Sequence, residues 1–536
     1  MGDVPLETGV EVTLTSAYLL LTQGVPGGET GMAARYLEGM AAVWPYIVKP
    51  QFDPPDWDSI GAQAIFDIRH NAANWVTVLG RPMLRAYVGD PRTGSAEAIS
   101  QLDVLVSLRQ YMQSHTDSEA DGLDASLTPL LTRFFNLEYQ TFVNDFPNSG
   151  IGRGDSWYTV QLHLDLARLA ALGDTDARDL LYASIDAVID LAHNADYRFP
   201  VFFNYEGNQP TSGSEPDVAG AYALLMMMCR DLYGEARFQD EAVEAVEALR
   251  GHGLDLLYEA HITAAAAAGC ARLFERTGNS EYLELSYLPL ASFVRALWLW
   301  ECDYGYASEY VTFCGVSAMA RISYIAAKEQ HEAWRYLNEY LELTDGSLDP
   351  ALETFLEGVA QYAGLPVRSA LPPFLPPDAV ADGQWGVNDS SLYIPLEDLK
   401  DGFRQSGQVG QELYGAGAPI TFAAGYVSGA PERGDAGGAL PGKPAFGAVY
   451  PNPANPGLRL LVMVPESYAG EPVTVDVVNL LGRRVVRLHE GPLEAGGNRL
   501  SWNGFTSGGA PAASGVYILR LRAGGEEASR KVVLLR

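Results

Sequence analysis

From about residue 30 to residue 365, apolar side chains recur at the spacing of an α-helix, as residues 162–172 and 180–191 illustrate. Short polar turns interrupt this pattern at residues 172–176, 233–236 and 277–280, and a fourth turn is predicted at residues 328–331. Glycine in the first three turns suits the left-handed end of a helix, and the Asp, Asn or Ser nearby suits the next helix start. The repeating unit is therefore a helical hairpin followed by a longer return loop.

The number of these units predicts a closed ring of helices. About twelve or thirteen helical segments are present, which is enough for six hairpins. An open superhelix of the tetratricopeptide kind would need a near-constant repeat of about 34 residues, whereas the turns here are unequally spaced. The pattern favours an (α/α)6 toroid over residues 1–428, with an extended proline-rich stretch after residue 364. Residues 410–426 are predicted to form the helix that closes the ring.

The connections between the predicted helices are of two kinds. The polar turns are short, whereas residues 45–58, 144–156, 196–216 and 298–309 form long, aromatic connections. Alternate connections of a hairpin ring lie at the same end, so the long ones should crowd one rim. Loops longer than a connection requires usually carry a functional site.

The last part of the chain follows a different period. After a Gly-, Ala- and Pro-rich stretch at residues 429–445, apolar and polar residues alternate, as in Val473, Val475 and Val477. Turn residues separate several such runs. We therefore expect a multidomain chain, with an all-α toroid over residues 1–428, a linker over 429–445 and a small all-β, Ig-like sandwich over 446–536.

Five phrases in this last part carry a resemblance. They are Tyr-Pro-Asn-Pro at 450–453, Leu-Leu-Gly-Arg at 480–483, Trp-Asn-Gly at 502–504, Ser-Gly-Val-Tyr at 514–517 and Lys-Val-Val-Leu-Leu-Arg at 531–536. In this order they resemble a type IX secretion C-terminal sorting domain, and equally the flagellar hook-cap type of Ig-like domain. Asn503 stands where the family usually has Asp.

The sorting-domain resemblance implies a location and a partner. It implies export across the outer membrane by the secretion machinery, so that the protein would be secreted or lie on the cell surface. The alternative is an Ig-like accessory domain without a sorting role. The first residues of the chain have no basic segment followed by a long apolar one, so we expect that a signal peptide has been removed or precedes this chain.

Charge and cysteine content exclude several classes of function. With 67 acidic and 36 basic residues the net charge is −31, which disfavours nucleic-acid binding. No apolar run approaches the ~20 residues of a transmembrane helix. The four cysteines show no Cys-x-x-Cys spacing, and no phosphate-binding loop is present, so neither a metal site nor a cofactor is predicted. Cys302 and Cys314 could form a disulfide or remain free.

The long connections combine carboxylates with aromatic side chains, which is the composition of a carbohydrate cleft. Aromatic rings stack on the apolar faces of sugars, and charged groups bind the hydroxyl edges. Glycoside cleavage adds a pair of carboxyl groups. The predicted catalytic candidates are Asp155, Glu206, Glu301 and Asp303. The predicted substrate-binding residues of these connections are Trp57, Arg153, Trp157, Tyr205, Trp298, Trp300, Tyr304 and Tyr306.

One short phrase carries a second resemblance. Gly-Arg-Gly-Asp-Ser-Trp at 152–157 is similar to the Arg-Gly-Asn-x-Trp phrase of unsaturated glucuronyl and rhamnogalacturonyl hydrolases, which are (α/α)6 enzymes. Asp155 stands where Asn is usual, and the Trp that usually precedes the phrase by two residues is absent. The resemblance implies an acid or base role for Asp155. The alternative is that Asp155 only caps the following helix.

Two other functions stay open. A polysaccharide lyase needs a base and a group that neutralises the substrate carboxylate. His70 and Asn74 are predicted to lie on one face of a single helix and could serve, beside a basic groove of Arg69, Arg153 and Arg198. A non-catalytic surface protein would instead use the ring as a binding module, with its rim acids neutralised by Arg or Lys. The leading prediction is a secreted glycoside hydrolase that acts on a poly- or oligosaccharide.

Overall fold

The structure is a computed structural model, and it describes residues 20–21, 24–425, 443–450, 454, 457–468, 470–493 and 496–534. Helices fill the first part and strands the last. The helices are α1 (Gly28–Val43), α2 (Trp57–His70), α3 (Ala98–Tyr111), α4 (Ser118–Leu127), α5 (Ser156–Ala171), α6 (Thr175–Asn194), α7 (Val218–Tyr233), α8 (Ala236–Glu247), α9 (Ala260–Thr277), α10 (Ser280–Val294), α11 (Ala327–Leu343), α12 (Pro350–Tyr362), α13 (Gly364–Ser369) and α14 (Gly417–Ala423).

Six of these helices form a closed inner ring. In order around the ring they are α3, α5, α7, α9, α11 and α14, and α14 packs against α3 to complete it. The outer layer consists of α4, α6, α8, α10 and α12, each packed on the ring helix that precedes it, and of α2, packed on α14. Helix α1 lies between α10 and α12. The predicted (α/α)6 toroid is confirmed.

Residue size explains which helices lie inside. The ring helices are buried around almost their whole circumference, and α7 and α9 approach most closely where both carry glycine. A Cβ atom on Gly269 would lie 2.3 Å from the backbone oxygen of Gly220. Only small residues permit this spacing, and the alanine run at 264–268 continues the same contact surface.

The connections divide as predicted. Those that leave ring helices are short, namely residues 112–117, 172–174, 234–235, 278–279 and 344–349. Those that enter ring helices are long, namely residues 71–97, 128–155, 195–217, 248–259, 295–326 and 363–416. The ring helices are parallel, so all long connections lie at the end that carries the helix N-termini. The predicted long connection at 45–58 is different, because it joins α1 to α2, neither of which belongs to the ring.

Three local predictions were wrong. Residues 328–331 are the first turn of α11, and their polar side chains lie inside the ring rather than in a turn. Helix α2 ends at His70, so Asn74 lies in a separate 3-10 turn instead of on the same helix. Pro366 lies within the short helix α13 rather than in an extended stretch. The closing helix α14 is present but spans only seven residues.

The strands belong to two groups. Short strands in the long connections are β1 (Trp75–Val78), β2 (Arg81–Leu84), β3 (Ala96–Glu97), β4 (Phe135–Asn136), β5 (Thr141–Phe142), β6 (Asp145–Phe146), β7 (Arg153–Asp155), β8 (Phe202–Asn204) and β9 (Gln209–Ser212). The last part holds β10 (Ala445–Tyr450), β11 (Leu458–Val464), β12 (Pro472–Asn479), β13 (Arg484–Pro492), β14 (Gly496–Trp502), β15 (Gly515–Ala523) and β16 (Glu526–Leu534).

The last seven strands form the predicted β-sandwich. Antiparallel sheets in the orders β10-β11-β14 and β13-β12-β15-β16 share one apolar core. Val473, Val475 and Val477 point into that core, as their alternation in the sequence predicts. Residues 426–442, which include most of the predicted linker, lie outside the described residues. The domain limits at 428 and 445 therefore stay a prediction.

Candidate functional site

Seven carboxyl groups gather at the end of the ring where the long connections enter. Most precede or begin a ring helix, and two come from the long connection before α14. We call them the mouth cluster: Asp155, Glu215, Asp217, Glu259, Glu329, Glu397 and Glu412. They lie close enough together for their charges to raise one another's pKa values. In the described part of the chain, none of them forms an ion pair with Lys or Arg.

Asp155 stands at the start of α5, at the end of a short strand. Strand β7 pairs with β8 and fixes the backbone of Asp155 opposite Phe202. The carboxylate caps α5 by accepting a 3.4 Å hydrogen bond from the backbone N–H of Tyr158. Burial raises the pKa of Asp155 to about 6, against the lowering effect of these backbone hydrogen bonds. Asp155 is therefore both the predicted helix cap and a carboxyl of the mouth cluster.

Trp157 connects α5 to the start of α7. Its backbone N–H donates a 3.0 Å hydrogen bond to Oε2 of Glu215. Its indole ring stacks on Tyr158, with centroids 3.9 Å apart, and meets the ring of His261 edge-on at 5.2 Å. Burial, with the nearby charge of Asp155, raises the pKa of Glu215 to about 11. Glu215 is therefore a neutral, buried acid at neutral pH.

Glu259 and Glu329 face each other across adjacent ring helices. Glu259 directly precedes α9, and Glu329 lies in the first turn of α11. Both are buried, and burial together with the nearby charge of Glu329 raises the pKa of Glu259 well above its ordinary value. Burial also raises the pKa of Glu329, to about 8. Because the two carboxyl groups lie close together, each opposes the ionisation of the other.

Glu397 is the member of the mouth cluster whose side chain is bonded by tyrosine hydroxyl groups. The hydroxyl of Tyr87 donates a 2.6 Å hydrogen bond to its Oε2, and that of Tyr324 donates a 3.3 Å bond to its Oε1. The side chain is only partly buried. Desolvation raises its pKa despite the two hydroxyl donors. Tyr414 completes the surround through a 2.8 Å contact with the Tyr87 hydroxyl.

A second polar layer fills the ring below the mouth cluster, and here the charges are paired. Glu332 accepts a 2.6 Å hydrogen bond from Arg335 and a 3.0 Å bond from Arg168. Lys328 lies 3.1 Å from Asp103. All these side chains are almost completely buried. The charges of this layer neutralise one another, whereas the acids of the mouth cluster form no ion pairs with the described Lys and Arg residues.

Several predicted sugar-binding residues lie in the long connection before α11. Trp298 is 4% exposed and stacks on Trp300, which is 50% exposed, with ring centroids 5.4 Å apart. Tyr304 and Tyr306 are also partly exposed, and Tyr304 packs against Phe403. These aromatic side chains therefore lie at the same end of the ring as the mouth cluster.

The other three predicted carboxyls are not members of the mouth cluster. Glu301 accepts a 2.6 Å hydrogen bond from the backbone N–H of Phe313, and burial raises its pKa. Asp303 and Glu206 are exposed. All three lie in long connections, so their catalytic role stays a prediction.

Arg153 and Tyr205 are held close to Asp155 by aromatic packing. The Arg153 guanidinium lies 3.9 Å from the centroid of the Phe202 ring. Tyr205 is buried and stacks on Tyr139 at 5.5 Å. A substrate-binding role for either residue stays a prediction.

Three predicted substrate-binding residues lie in other surroundings. Trp57 stacks on Phe422, in the last turn of α14, with centroids 4.6 Å apart. His70 pairs with Glu119 of α4 at 2.6 Å. Asn74 is fully buried and donates a 2.9 Å hydrogen bond to the backbone oxygen of Asp67. The structure therefore does not bring His70 and Asn74 together with the mouth cluster.

Sequence reasoning missed most of the mouth cluster. Glu215, Asp217 and Glu259 each stand just before a long apolar helix and at the end of a long connection, which was a usable signal. Glu329 and Glu412 carry no such signal, because the sequence predicts a turn around the former and a helix around the latter. All four cysteines are buried and free, so Cys302 and Cys314 form no disulfide.

Comparisons with known proteins give separate results for the last, β-strand part of the chain and for the larger, helical part. Residues 448–535 match the family model of the secretion system C-terminal sorting domain. The chain is therefore a secreted or cell-surface protein. No helix among the described residues is long and apolar enough to span a membrane. No curated protein matches the sequence.

Solved structures resemble the larger, helical part. A family 76 glycoside hydrolase from a bovine Bacteroides thetaiotaomicron strain is 14% identical, with 69% of this chain and 78% of that chain covered and a TM-score of 0.49. A D-mannose isomerase is 9% identical, with 70% and 99% covered and a TM-score of 0.45. The cellobiose 2-epimerase of Spirochaeta thermophila is 12% identical, with 73% and 97% covered and a TM-score of 0.41.

Proposed function

We propose that the protein is a secreted glycoside hydrolase whose active site is the mouth cluster. The observation that carries this proposal is the absence of Arg and Lys partners for these seven acids among the described residues. Buried carboxyl groups are normally paired, because removing them from water is costly. Acids that are kept together without partners, and whose pKa values are raised, are typical of catalytic sites. A purely structural ring would neutralise them, as the layer below does.

The surroundings of the mouth cluster suit a sugar. Tyr87, Tyr158, Tyr258 and Tyr324 are partly exposed beside the acids, and they offer both ring faces and hydroxyl groups. Trp298 and Trp300 stack on each other in a long connection that enters the ring at the same end. Sugars need this combination of apolar faces and hydrogen-bonding edges. The proposed substrate is therefore a poly- or oligosaccharide.

Two carboxyl groups of the mouth cluster suit the two catalytic roles. Asp155, with a pKa of about 6, is ionised at neutral pH and can activate water or attack the sugar. Glu397 is partly accessible and is held by Tyr87 and Tyr324, so it suits the acid that protonates the leaving oxygen. Glu206, Glu301 and Asp303 lie outside the mouth cluster, and their catalytic role stays a prediction.

The test is a polysaccharide panel with the full-length protein, in which new reducing ends and the absorbance of unsaturated uronates are read together. Reducing ends without absorbance are expected. Asp155→Asn and Glu397→Gln should each lower kcat by at least about 100-fold, while Glu38→Gln, on exposed α1, serves as the matched control. Reducing ends together with absorbance would establish a lyase instead. A folded protein that gives neither signal would indicate a binding module.

A further inference from the structure

His261 is a buried histidine whose ring nitrogens lack partners. It lies in the first turn of α9 and is 0% exposed. Neither Nδ1 nor Nε2 has a hydrogen-bond partner among the described residues. His163, in contrast, is equally buried but contacts the backbone oxygen of Thr159 at 2.7 Å and Oγ of Ser184 at 3.0 Å. Since buried polar groups are almost always bonded, His261 indicates a missing ligand.

Two carboxyl groups face this histidine. A ring nitrogen of His261, an oxygen of Glu259 and an oxygen of Glu329 all lie within 4.8 Å of one another. All three side chains are buried. The nearest lysine in the sequence, Lys328, is committed to the layer below, where it lies 3.1 Å from Asp103 and 3.5 Å from Glu332. The site therefore offers two carboxyl groups and an imidazole that form no direct ion pair with Lys or Arg among the described residues.

We propose that Glu259, His261 and Glu329 bind one divalent transition-metal ion, Zn²⁺ or Mn²⁺. Two carboxylates and a neutral imidazole balance the charge of such an ion, and both ligand types are ones that these metals accept. Zinc sites with three protein ligands keep a further position open for water or substrate. Bonds of about 2.0–2.2 Å require the ligand atoms, which lie within 4.8 Å of one another, to approach to roughly 3.5 Å.

The surroundings hold these ligands in place. Asp217 accepts hydrogen bonds from the backbone N–H groups of Tyr258 and Glu259, at 2.8 and 3.2 Å, and so fixes the start of α9. The ring of Trp157 packs edge-on against His261. Asp217 thus fixes the backbone at the start of α9, and Trp157 contacts the imidazole ring directly.

A second group of side chains shows why charge decides the assignment. Asp103, His331 and Glu332 also lie within 4.8 Å of one another. There, however, Lys328 pairs with Asp103, and Arg335 pairs with Glu332 at 2.6 Å. Basic side chains already occupy the role that a metal ion would have, so we assign no metal to that group.

No pattern in the sequence identifies the three proposed ligands. They come from two ring helices about 70 residues apart, and none belongs to a Cys-x-x-Cys or His-x-x-x-His spacing. A sequence search for metal motifs therefore predicts no site here. The ring brings the ligands together because α9 and α11 are neighbours in it.

The proposal is tested by metal binding to the full-length protein, independently of hydrolysis. After treatment with a chelator and dialysis against Zn²⁺ or Mn²⁺, we expect elemental analysis to find about one tightly bound equivalent per chain. His261→Ala and Glu329→Gln should each lower the affinity by at least about 10-fold. His193→Ala is the matched control, because His193 is an exposed histidine paired with Glu241 and its loss should leave the stoichiometry unchanged.

A spectroscopic measurement on the unmodified protein covers the case in which a variant fails to fold. Cu²⁺ added in substoichiometric amount should give an electron paramagnetic resonance spectrum with coupling to one imidazole nitrogen, and a large excess of Zn²⁺ should abolish it. Retention of less than about a tenth of an equivalent of every metal after dialysis would overturn the proposal. So would binding that a folded His261→Ala variant retains in full.

Discussion

The carboxylate of Asp217 accepts a 2.7 Å hydrogen bond from the hydroxyl of Thr263, joining the start of α7 to the first turn of α9. The same oxygen, Oδ2, accepts the backbone N–H groups of Tyr258 and Glu259. Three donors therefore converge on one buried acceptor. This arrangement fixes the position of Glu259, which lies in the mouth cluster.

We expect Asp217→Ala to disturb both stability and function. The substitution leaves the backbone N–H groups of Tyr258 and Glu259 without an acceptor, whereas the Thr263 hydroxyl can still donate to the backbone oxygen of Glu259. The free energy of unfolding should therefore fall by about 1–3 kcal/mol. Activity should fall as well, because Glu259 loses its anchor, while Asp217→Asn should retain part of both. Chemical denaturation and the hydrolysis assay measure the two effects. Asp190→Ala, at an exposed position of α6, is the control, and an equal loss in that variant would contradict the explanation.

Asp155→Asn should separate stability from activity. Burial raises the folded-state pKa of Asp155 above its ordinary value of 3.8, so this group contributes stability at low pH that is lost as the pH rises through about 6. At neutral pH the amide removes that cost and still caps α5, so we expect stability to stay equal or to rise by on the order of 1 kcal/mol.

Two measurements over pH check this prediction. Unfolding curves should show an advantage of Asp155→Asn above pH 6 that disappears below 3.8. The activity of the unmodified protein should decline as the pH falls through about 6, because protonation removes the catalytic carboxylate. A variant that is markedly less stable at neutral pH would show that Asp155 is mainly a structural cap.

The contact between α7 and α9 should tolerate no added methyl group. A Cβ on Gly269 would lie 2.3 Å from the backbone oxygen of Gly220, so Gly269→Ala must push the two ring helices apart. We expect a loss of about 1–3 kcal/mol in thermal or chemical unfolding. Gly39→Ala in α1 is the control, because its Cβ would meet only Leu20 at 3.8 Å. That control should gain about 0.5–1 kcal/mol from helix propensity.

Removing the charge of Glu332 should be strongly destabilising. The carboxylate is fully buried and neutralises Arg168 and Arg335, so Glu332→Gln leaves positive charge uncompensated inside the ring. A loss of about 3–5 kcal/mol is expected. The exposed pair of Arg35 with Glu38 offers the comparison, and Glu38→Gln should change stability by less than about 0.5 kcal/mol. Similar losses in both variants would show that the buried ion pairs of Glu332 contribute no more to stability than an exposed pair.

Local pattern was sufficient for much of the fold. Helical spacing, with turns such as that at Gly234, located most of the hairpins, because a helix end depends on a few neighbouring residues. Alternation in residues 473–477 located a strand of the sandwich for the same reason. The wrong prediction at residues 328–331 has a physical cause. Lys328 and Glu329 looked like turn residues, since polar side chains are exposed in most helices, whereas here they face the polar interior of a ring.

The sequence by itself determined that hairpins close into a ring, that a sandwich follows and that the protein is exported. These properties rest on periodicity and on short contiguous phrases. Only the tertiary structure decided which acids meet. Asp155, Glu259, Glu329 and Glu397 come from four different connections or helices, and ring closure alone makes them neighbours. Their proximity, without ion pairs to the described basic side chains, is a property of that closure, so no local pattern in the chain predicts it.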